Sequence, residues 1–406
     1  MLGLAPIVGI AHNLGVIHKM TMCPAEFGAV SRVIACLGLL TILQACGGGE
    51  NPAPTAPTEK TCQQDPTQPK CNVNPQPTTT LRALSAARSR SFGVAVDAPF
   101  FAANPAAYNT VIAREFNMIV AGNVMKWSSI HRDGRYSYRW PNPDAMVTFA
   151  QTNTMKVRGH TLFWHQQNPT WLTSTTWNPE TLEVVLKEHV DSVVGHYKGK
   201  VVAWDVVNEA INDGNGTLRT TGSPWAAALG ASYIDLAFRE ARAVDPAAQL
   251  FYNDYNLEFN GAKQDSAFAL VSGMKSRGVP IDGIGFQGHF QINADGSGVP
   301  SKDALVAVFN RFAALGLKVH ITELDIRVRT PGATTTEMNA QSQGYANVVS
   351  ACLAVPACDA IVVWGLNDGE SWIPGTFPGY GQALLFDDAF SKKATYTAVS
   401  GALSSP

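Results

Sequence analysis

Eight short apolar runs recur between residues 91 and 365, and the way they are spaced decides what the chain can fold into. They are Phe92–Asp97, Asn117–Ala121, Val157–Trp164, Val201–Val207, Leu250–Asn253, Ile281–Gln287, Val319–Glu323 and Ile361–Gly365. Several are apolar at consecutive positions and β-branched, the pattern of strands buried on both faces of a parallel sheet. Amphipathic stretches with helix-start signals lie between them. Asn104-Pro105, Asn142-Pro143 and Asn178-Pro179 each place a capping side chain before a proline suited to the first helical turn. Ser301-Lys302-Asp303 opens another helix, with Asp303 matched to the first turn's dipole. Eight strands alternating with helices over about 320 residues predict an α/β fold, a (β/α)8 TIM barrel with enlarged loops. A doubly wound open sheet is the competitor, but no glycine-rich phosphate turn follows the first run.

Two of the runs end unusually. Val201–Ala210 reads V-V-A-W-D-V-V-N-E-A and stops on Asn208 and Glu209, while V-H-I-T-E-L-D (Val319–Asp325) brings Glu323 and Asp325. A buried strand does not ordinarily finish on a carboxylate unless that end opens into a site. In a barrel, that site lies at the C-terminal strand ends. Six ends carry polar clusters: Asn123 and Lys126, His160 to Gln167, Asn208 and Glu209, Gln287 and His289, Glu323 and Asp325, and Trp364. Either glutamate alone could equally cap a helix or pair with an arginine. Together they supply the two carboxylates that glycosidic hydrolysis requires. Adjacent residues cannot both face inward along a regular strand, so the pleat is expected to break near Asn208. His160 and His165 could be proposed as a metal pair, but their odd spacing places them on opposite faces of a strand. No metal and no cofactor is expected.

Composition narrows the substrate. The 406 residues are 46% hydrophobic and 15% charged, with net charge −2 and no dense basic run, so nothing points to nucleic acid or an anionic surface. Of nine tryptophans, Trp127, Trp164, Trp204, Trp364 and Trp372 lie in or near strand-like runs and suit the flat apolar faces of sugars. Trp204 reads as a core filler rather than a platform.

The first 45 residues read as a signal peptide. Arg32 precedes an apolar run from Val33 to Leu43, too short to span a membrane stably, and Met20 or Met22 is a candidate true start. L-Q-A-C (Leu43–Cys46) followed by three glycines resembles the lipobox of bacterial lipoproteins, although Gln44 is a less usual occupant. The resemblance implies a lipidated Cys46, hence export, anchoring in the outer membrane where there is one, and no other membrane contact; simple secretion is the alternative. Residues 46–80 are rich in Pro, Thr, Gln and Asn and read as an extended linker before a single domain spanning 81–406. With Cys46 lipidated and Cys23 and Cys36 in the signal, four cysteines remain, an even count that suggests local disulfides Cys62–Cys71 and Cys352–Cys358. The second closes a short loop and is expected to contribute about 2–2.5 kcal/mol.

The motifs at the strand ends resemble glycoside hydrolase family 10, the endo-β-1,4-xylanases, over Leu81 to Leu403. Seven segments match in order: Phe116–Trp127, R-G-H-T-L-F-W-H at Arg158–His165 continuing to Trp171, W-D-V-V-N-E at Trp204–Glu209, N-D-Y-N at Asn253–Asn256, G-F-Q-G-H at Gly285–His289, I-T-E-L-D at Ile321–Asp325, and V-W-G at Val363–Gly365. The resemblance implies hydrolysis of xylan with retained configuration, Glu209 acting as acid/base and Glu323 as nucleophile. Those jobs need opposite protonation states. Carboxylates about 5 Å apart interact by about 3 kcal/mol at an effective dielectric of 20, enough to hold one neutral beside the other's charge.

The same resemblance makes His289 a partner of the nucleophile with Asp325 behind it, and Asn208 a contact of the sugar 2-hydroxyl. It makes Asn123, Lys126, His160, Trp164, Gln167 and Gln287 binding groups, and Trp364 and Trp372 the floor and lid of a cleft. The chain departs from the family pattern at Gly122, where a glutamate commonly contacts the second sugar on the glycone side. A weakened grip on that sugar, or room for a decorated one, is the consequence expected. Ala394, where the family often has proline, carries no functional meaning. A monomer acting on xylan is expected. The rivals are a retaining β-glycosidase of the same mechanism acting on mixed-linkage glucan or a glycosylated small molecule, and a non-catalytic sugar-binding lipoprotein.

Overall fold

Eight parallel strands close into a barrel in the computed structural model, which describes residues 79–102 and 105–405. The signal segment, Cys46, nearly all of the linker and the Cys62–Cys71 pair lie outside the described residues. The strands are β1 (Ser91–Val96), β2 (Met118–Ala121), β3 (Lys156–Gly159), β4 (Ala203–Asn208), β5 (Gln249–Asp254), β6 (Gly283–Phe286), β7 (Lys318–Arg329) and β8 (Cys358–Val363). Each pairs in parallel with the next, and β8 pairs with β1, so the sheet has no free edge and the open-sheet alternative is excluded.

Local chemistry explains most helix starts. Asn178 caps Pro179–His196 by accepting from Thr181 N at 2.8 Å, and Ser301 caps Lys302–Ala313 by accepting from Ala304 N at 3.3 Å. Asn104 lies outside the described residues. The cap expected at Asn142 is corrected. That helix runs Pro141–Thr152 with Trp140 at its cap position, because Pro141 already supplies the pre-set dihedral of a first helical residue. Cys352, near the end of the helix Thr335–Ala354, is bonded to Cys358, the first residue of β8.

Two strands differ from expectation in length. β3 stops at Gly159 instead of running to Trp164, because Thr161 Oγ1 and Leu162 N both bond the Asp205 carbonyl oxygen and the regular ladder ends there. β7 runs on to Arg329, where a short parallel strand, His289–Gln291, pairs with Asp325–Arg327. Trp204 is fully buried and lies over Gly159, where a Cβ would stand 2.1 Å from the indole.

The barrel interior is not wholly apolar. Ala95, Met118, Val120, Ala360 and Val362 pack as one cluster, with Trp364 against it. Beside them, Arg158, the register partner of Val120, donates Nε to Asp205 Oδ2 at 3.1 Å, contacts His320 Nδ1 at 2.7 Å and stacks 4.5 Å from the Phe251 ring centroid. This buried ion pair lies beneath the site and reaches it through His160, whose Nδ1 is 3.0 Å from Asp205 Oδ2.

Candidate active site

The two glutamates meet in one cleft of about 710 Å³ at the C-terminal mouth, a size ordinary for a small-molecule or oligosaccharide site. Its lining takes in Asn123, Lys126, His160, Trp164, Gln167, Asn208, Glu209, Gln287, His289, Glu323, Trp364 and Trp372, every cleft residue expected from the sequence except Asp325. Asp325 is fully buried behind His289.

How β4 presents two consecutive polar residues is visible in its register. Against β5, the pairing slips between Asp205 and Val207, leaving Val206 as the extra residue of a bulge. Asp205 and Asn208 therefore both point inward, where an unbroken pleat would bring Val207. Glu209 then takes a left-handed backbone (φ +55°), a conformation costing a non-glycine residue on the order of 1–3 kcal/mol. Neighbouring groups hold it there. Glu209 N donates to Asn253 O at 2.9 Å, and Arg219 Nε donates to Glu209 O at 3.1 Å.

The carboxylates have different surroundings. Glu209 accepts from Trp164 Nε1 at 2.8 Å and Gln287 Nε2 at 2.9 Å, both neutral donors, with His165 Nδ1 3.9 Å away. Burial, with the charge of Arg219 added, lowers His165 to about 4, so it is neutral near pH 7. Glu323 accepts from Asn253 Nδ2 at 2.7 Å and lies 3.2 Å from His289 Nε2. Burial alone would raise Glu323, but the His289 hydrogen bond and the fields of His160 and His289 outweigh it and hold the carboxyl below the ordinary glutamate range. His289 shows the converse. Burial opposes its charge, yet Asp325 on Nδ1 at 2.9 Å and Glu323 on the other nitrogen push it up to about 10. A protonated imidazole thus stands between two carboxylates.

Asn253 ties the two halves together, donating to both Glu323 Oε1 and Asn208 Oδ1 (2.8 Å). It reaches them across Gly285, where a Cβ would lie 2.1 Å from Asn253 Oδ1. Gln287 Nε2 continues the path from Asn208 Oδ1 (3.2 Å) to Glu209. Trp364 faces His160 edge-on at 5.2 Å, and Trp372 Nε1 donates to Asp325 Oδ2 at 2.7 Å while its ring lies 5.1 Å from His289.

Lys126 Nζ bonds Gln167 Oε1 (2.9 Å) and Asn123 Oδ1 (3.2 Å) and sits 4.8 Å over Trp164. Burial lowers its pKa, against the pull of Glu323 and Glu209.

Sequence reasoning passed over Asp97, Asp205, Asn253, Tyr255, Arg327 and Glu370. Asp205 and Asn253 carried a usable signal, being polar residues inside apolar runs. β3 ends at Gly159, before both His160 and His165, so the two histidines do not lie on opposite faces of one strand as expected. Among the described residues no group of three or more His, Cys, Asp or Glu is placed to hold a metal ion.

The family model for glycosyl hydrolase family 10 matches residues 80–402. The chain belongs to that family. Among the relatives of this glycosyl hydrolase, the endo-1,4-beta-xylanase 1 of Gibberella zeae is 41% identical over 318 residues, covering 78% of this chain and 88% of the relative. Endo-1,4-beta-xylanase B of Thermotoga neapolitana is 42% identical over 292 residues, covering 72% and 82%. The crystal structure of xylanase 10B from Thermotoga petrophila in complex with xylobiose superimposes with a TM-score of 0.76 at 40% identity, covering 80% of this chain and 97% of that one.

Proposed function

We propose that this glycosyl hydrolase cleaves internal β-1,4-xylosidic bonds of xylan by a retaining double displacement. The observation that carries the proposal is the contrast between two carboxylates in one cleft, linked through Asn208, Asn253 and Gln287. Glu323 is held ionised beside a protonated His289, as a nucleophile requires, whereas Glu209 is held by neutral donors. Glu209 donates a proton to the leaving oxygen as a Glu323 oxygen bonds the anomeric carbon. The same Glu209 then takes a proton from the water that releases the sugar. In this reading Asn208, whose Nδ2 lies 3.3 Å from Glu209 Oε1, bonds the 2-hydroxyl of the reacting sugar. Xylan as substrate is supported by the relatives named as xylanases.

The test is a product time course on xylan and soluble cellulose, read by NMR. Products newly formed as the β-anomer, with xylan strongly preferred, are expected. An α-anomer appearing first excludes the retaining mechanism, and equal rates on cellulose exclude the substrate.

His289 supplies a second expectation. Its hydrogen bond, with the charges of His160 and of His289 itself, holds Glu323 low against burial. In His289→Gln, Glu323 must therefore gain its proton at a higher pH than in the wild type. The acid limb of the kcat/KM–pH profile is expected to move upward. A limb that stays put or moves downward removes His289 from that role.

A further inference from the structure

Resting on the function just proposed, we infer that Arg327 binds the carboxylate of a uronic-acid branch on the xylan chain. Arg327 follows Asp325 by two residues on β7, in the stretch that pairs regularly with His289–Gln291, so the two side chains share a face. It lines the same cleft as both glutamates and is the only arginine among the described residues that does so. The cleft wall is continuous from the reacting centre to this point. The Trp372 ring lies 5.1 Å from His289 and 5.5 Å from Phe377, and Arg327 Cζ sits 3.8 Å over Phe377. Arg327 thus stands beyond the bond that is cut, where a substituent of the bound chain can meet it.

The guanidinium is held in place but not neutralised. Its Nε donates to Gln291 Oε1 at 3.2 Å, and the Tyr380 ring flanks it at 5.8 Å. Phe377 and Tyr380 belong to the segment after β8, which Thr330 N ties to β7 by donating to Gly379 O at 2.8 Å and Tyr380 by pairing with Arg329. Among the described residues Arg327 makes no ion pair, and neither Nη1 nor Nη2 donates to a protein acceptor. Asp325, the acid two residues back, is already committed. Its Oδ1 faces His289 Nδ1 at 2.9 Å, and its Oδ2 accepts from Trp372 Nε1 at 2.7 Å. Burial works against the charge of Arg327, and the field of Asp325 offsets only part of that. The result is a half-buried, pre-oriented cation with two donor nitrogens unused. A planar fork of this kind matches a carboxylate through two parallel hydrogen bonds. The xylan backbone is neutral, so the carboxylate has to come from a branch.

The experiment uses xylotetraoses carrying one glucuronic acid on each xylose unit in turn. Each is paired with the same compound whose carboxyl is reduced to a hydroxymethyl group, which removes the charge and keeps the branch. The readout is the ratio of kcat/KM for acid over reduced compound in wild type, Arg327→Met and Arg327→Lys. A charged hydrogen bond, discounted for exposure, predicts a largest wild-type ratio of about 5 to 50, mainly through KM. In Arg327→Met, which keeps an apolar stem on Phe377, that ratio is expected to fall to within about twofold of one. Arg327→Lys keeps the charge without the fork and is expected to lie between the two. Added salt is expected to shrink the wild-type ratio and leave that of Arg327→Met unchanged. Lost packing alone would slow acid and reduced compound alike and leave the ratio where it was. Wild-type ratios all within about twofold of one, or an Arg327→Met ratio equal to wild type, overturn the inference. Wild-type protein that turns over neither branched nor unbranched xylotetraose would instead overturn the proposed function.

Discussion

Replacing Glu323 with alanine is expected to lower kcat on xylan by at least about 10⁴-fold, because the atom that bonds the anomeric carbon is gone. Glu209 and its neutral donors remain to protonate the leaving oxygen, but nothing then captures the developing cation. The scaffold should survive the change. His289 keeps Asp325 at 2.9 Å as counter-ion, and Asn253 keeps its bond to Asn208, so no buried charge is left uncompensated. The side chain removed also leaves room for a small anion. Azide is expected to restore turnover of an aryl β-xylobioside and to yield an α-glycosyl azide, since it attacks from the face Glu323 occupied. Kinetics with and without azide, with NMR of the product, decide the matter. A variant retaining more than about a tenth of wild-type kcat, or a β-azide product, places the nucleophile elsewhere.

The carboxylates, the barrel and most of the cleft were legible because each depends on residue type at a strand end. An apolar run stopping at Glu209 or Glu323 states both a secondary structure and its exit into solvent. What could not be read were features set by the third dimension. The pleat break expected near Asn208 is present as the slip at Val206, but which residue becomes the extra one is set by the pairing of β4 with β5. Asn253 bridges the two halves only because Gly285, on the adjoining strand, leaves space for it. β3 was read too long for a related reason. Phe163 does pair with Val207, but as an isolated bridge beyond the point where side-chain and backbone bonds to Asp205 replace the ladder.

The second large effect is on stability. Asp205→Ala is expected to lower the unfolding free energy by about 3–5 kcal/mol, the cost of leaving a buried cation without its partner. Arg158 is wholly buried and Asp205 is 1% exposed, so water cannot take over the lost contact. His320, 2.7 Å from Arg158 Nη1, cannot substitute. Burial and the arginine's own charge, against the pull of Asp359, lower it to about 4, so it is neutral near pH 7. For Asp205 itself, burial opposes ionisation, but Arg158 and His160 prevail and hold its pKa below the usual aspartate value. Its contribution is therefore complete above that usual value and fades as pH falls through the folded-state value, so the gap between variant and wild type should narrow in acid. If the cost arises from an unpaired charge, removing the charge as well should relieve it, and Arg158→Met/Asp205→Leu is expected to be markedly more stable than Asp205→Ala. Urea unfolding across pH measures all of these. Asp205→Ala unfolding at the wild-type midpoint, or a double variant no better than the single one, would mean the ion pair contributes nothing. Since His160 is anchored on the same carboxylate and lies 3.9 Å from Glu323, the folded fraction of Asp205→Ala should also lose kcat/KM, which links the stability of the barrel interior to the chemistry at its mouth.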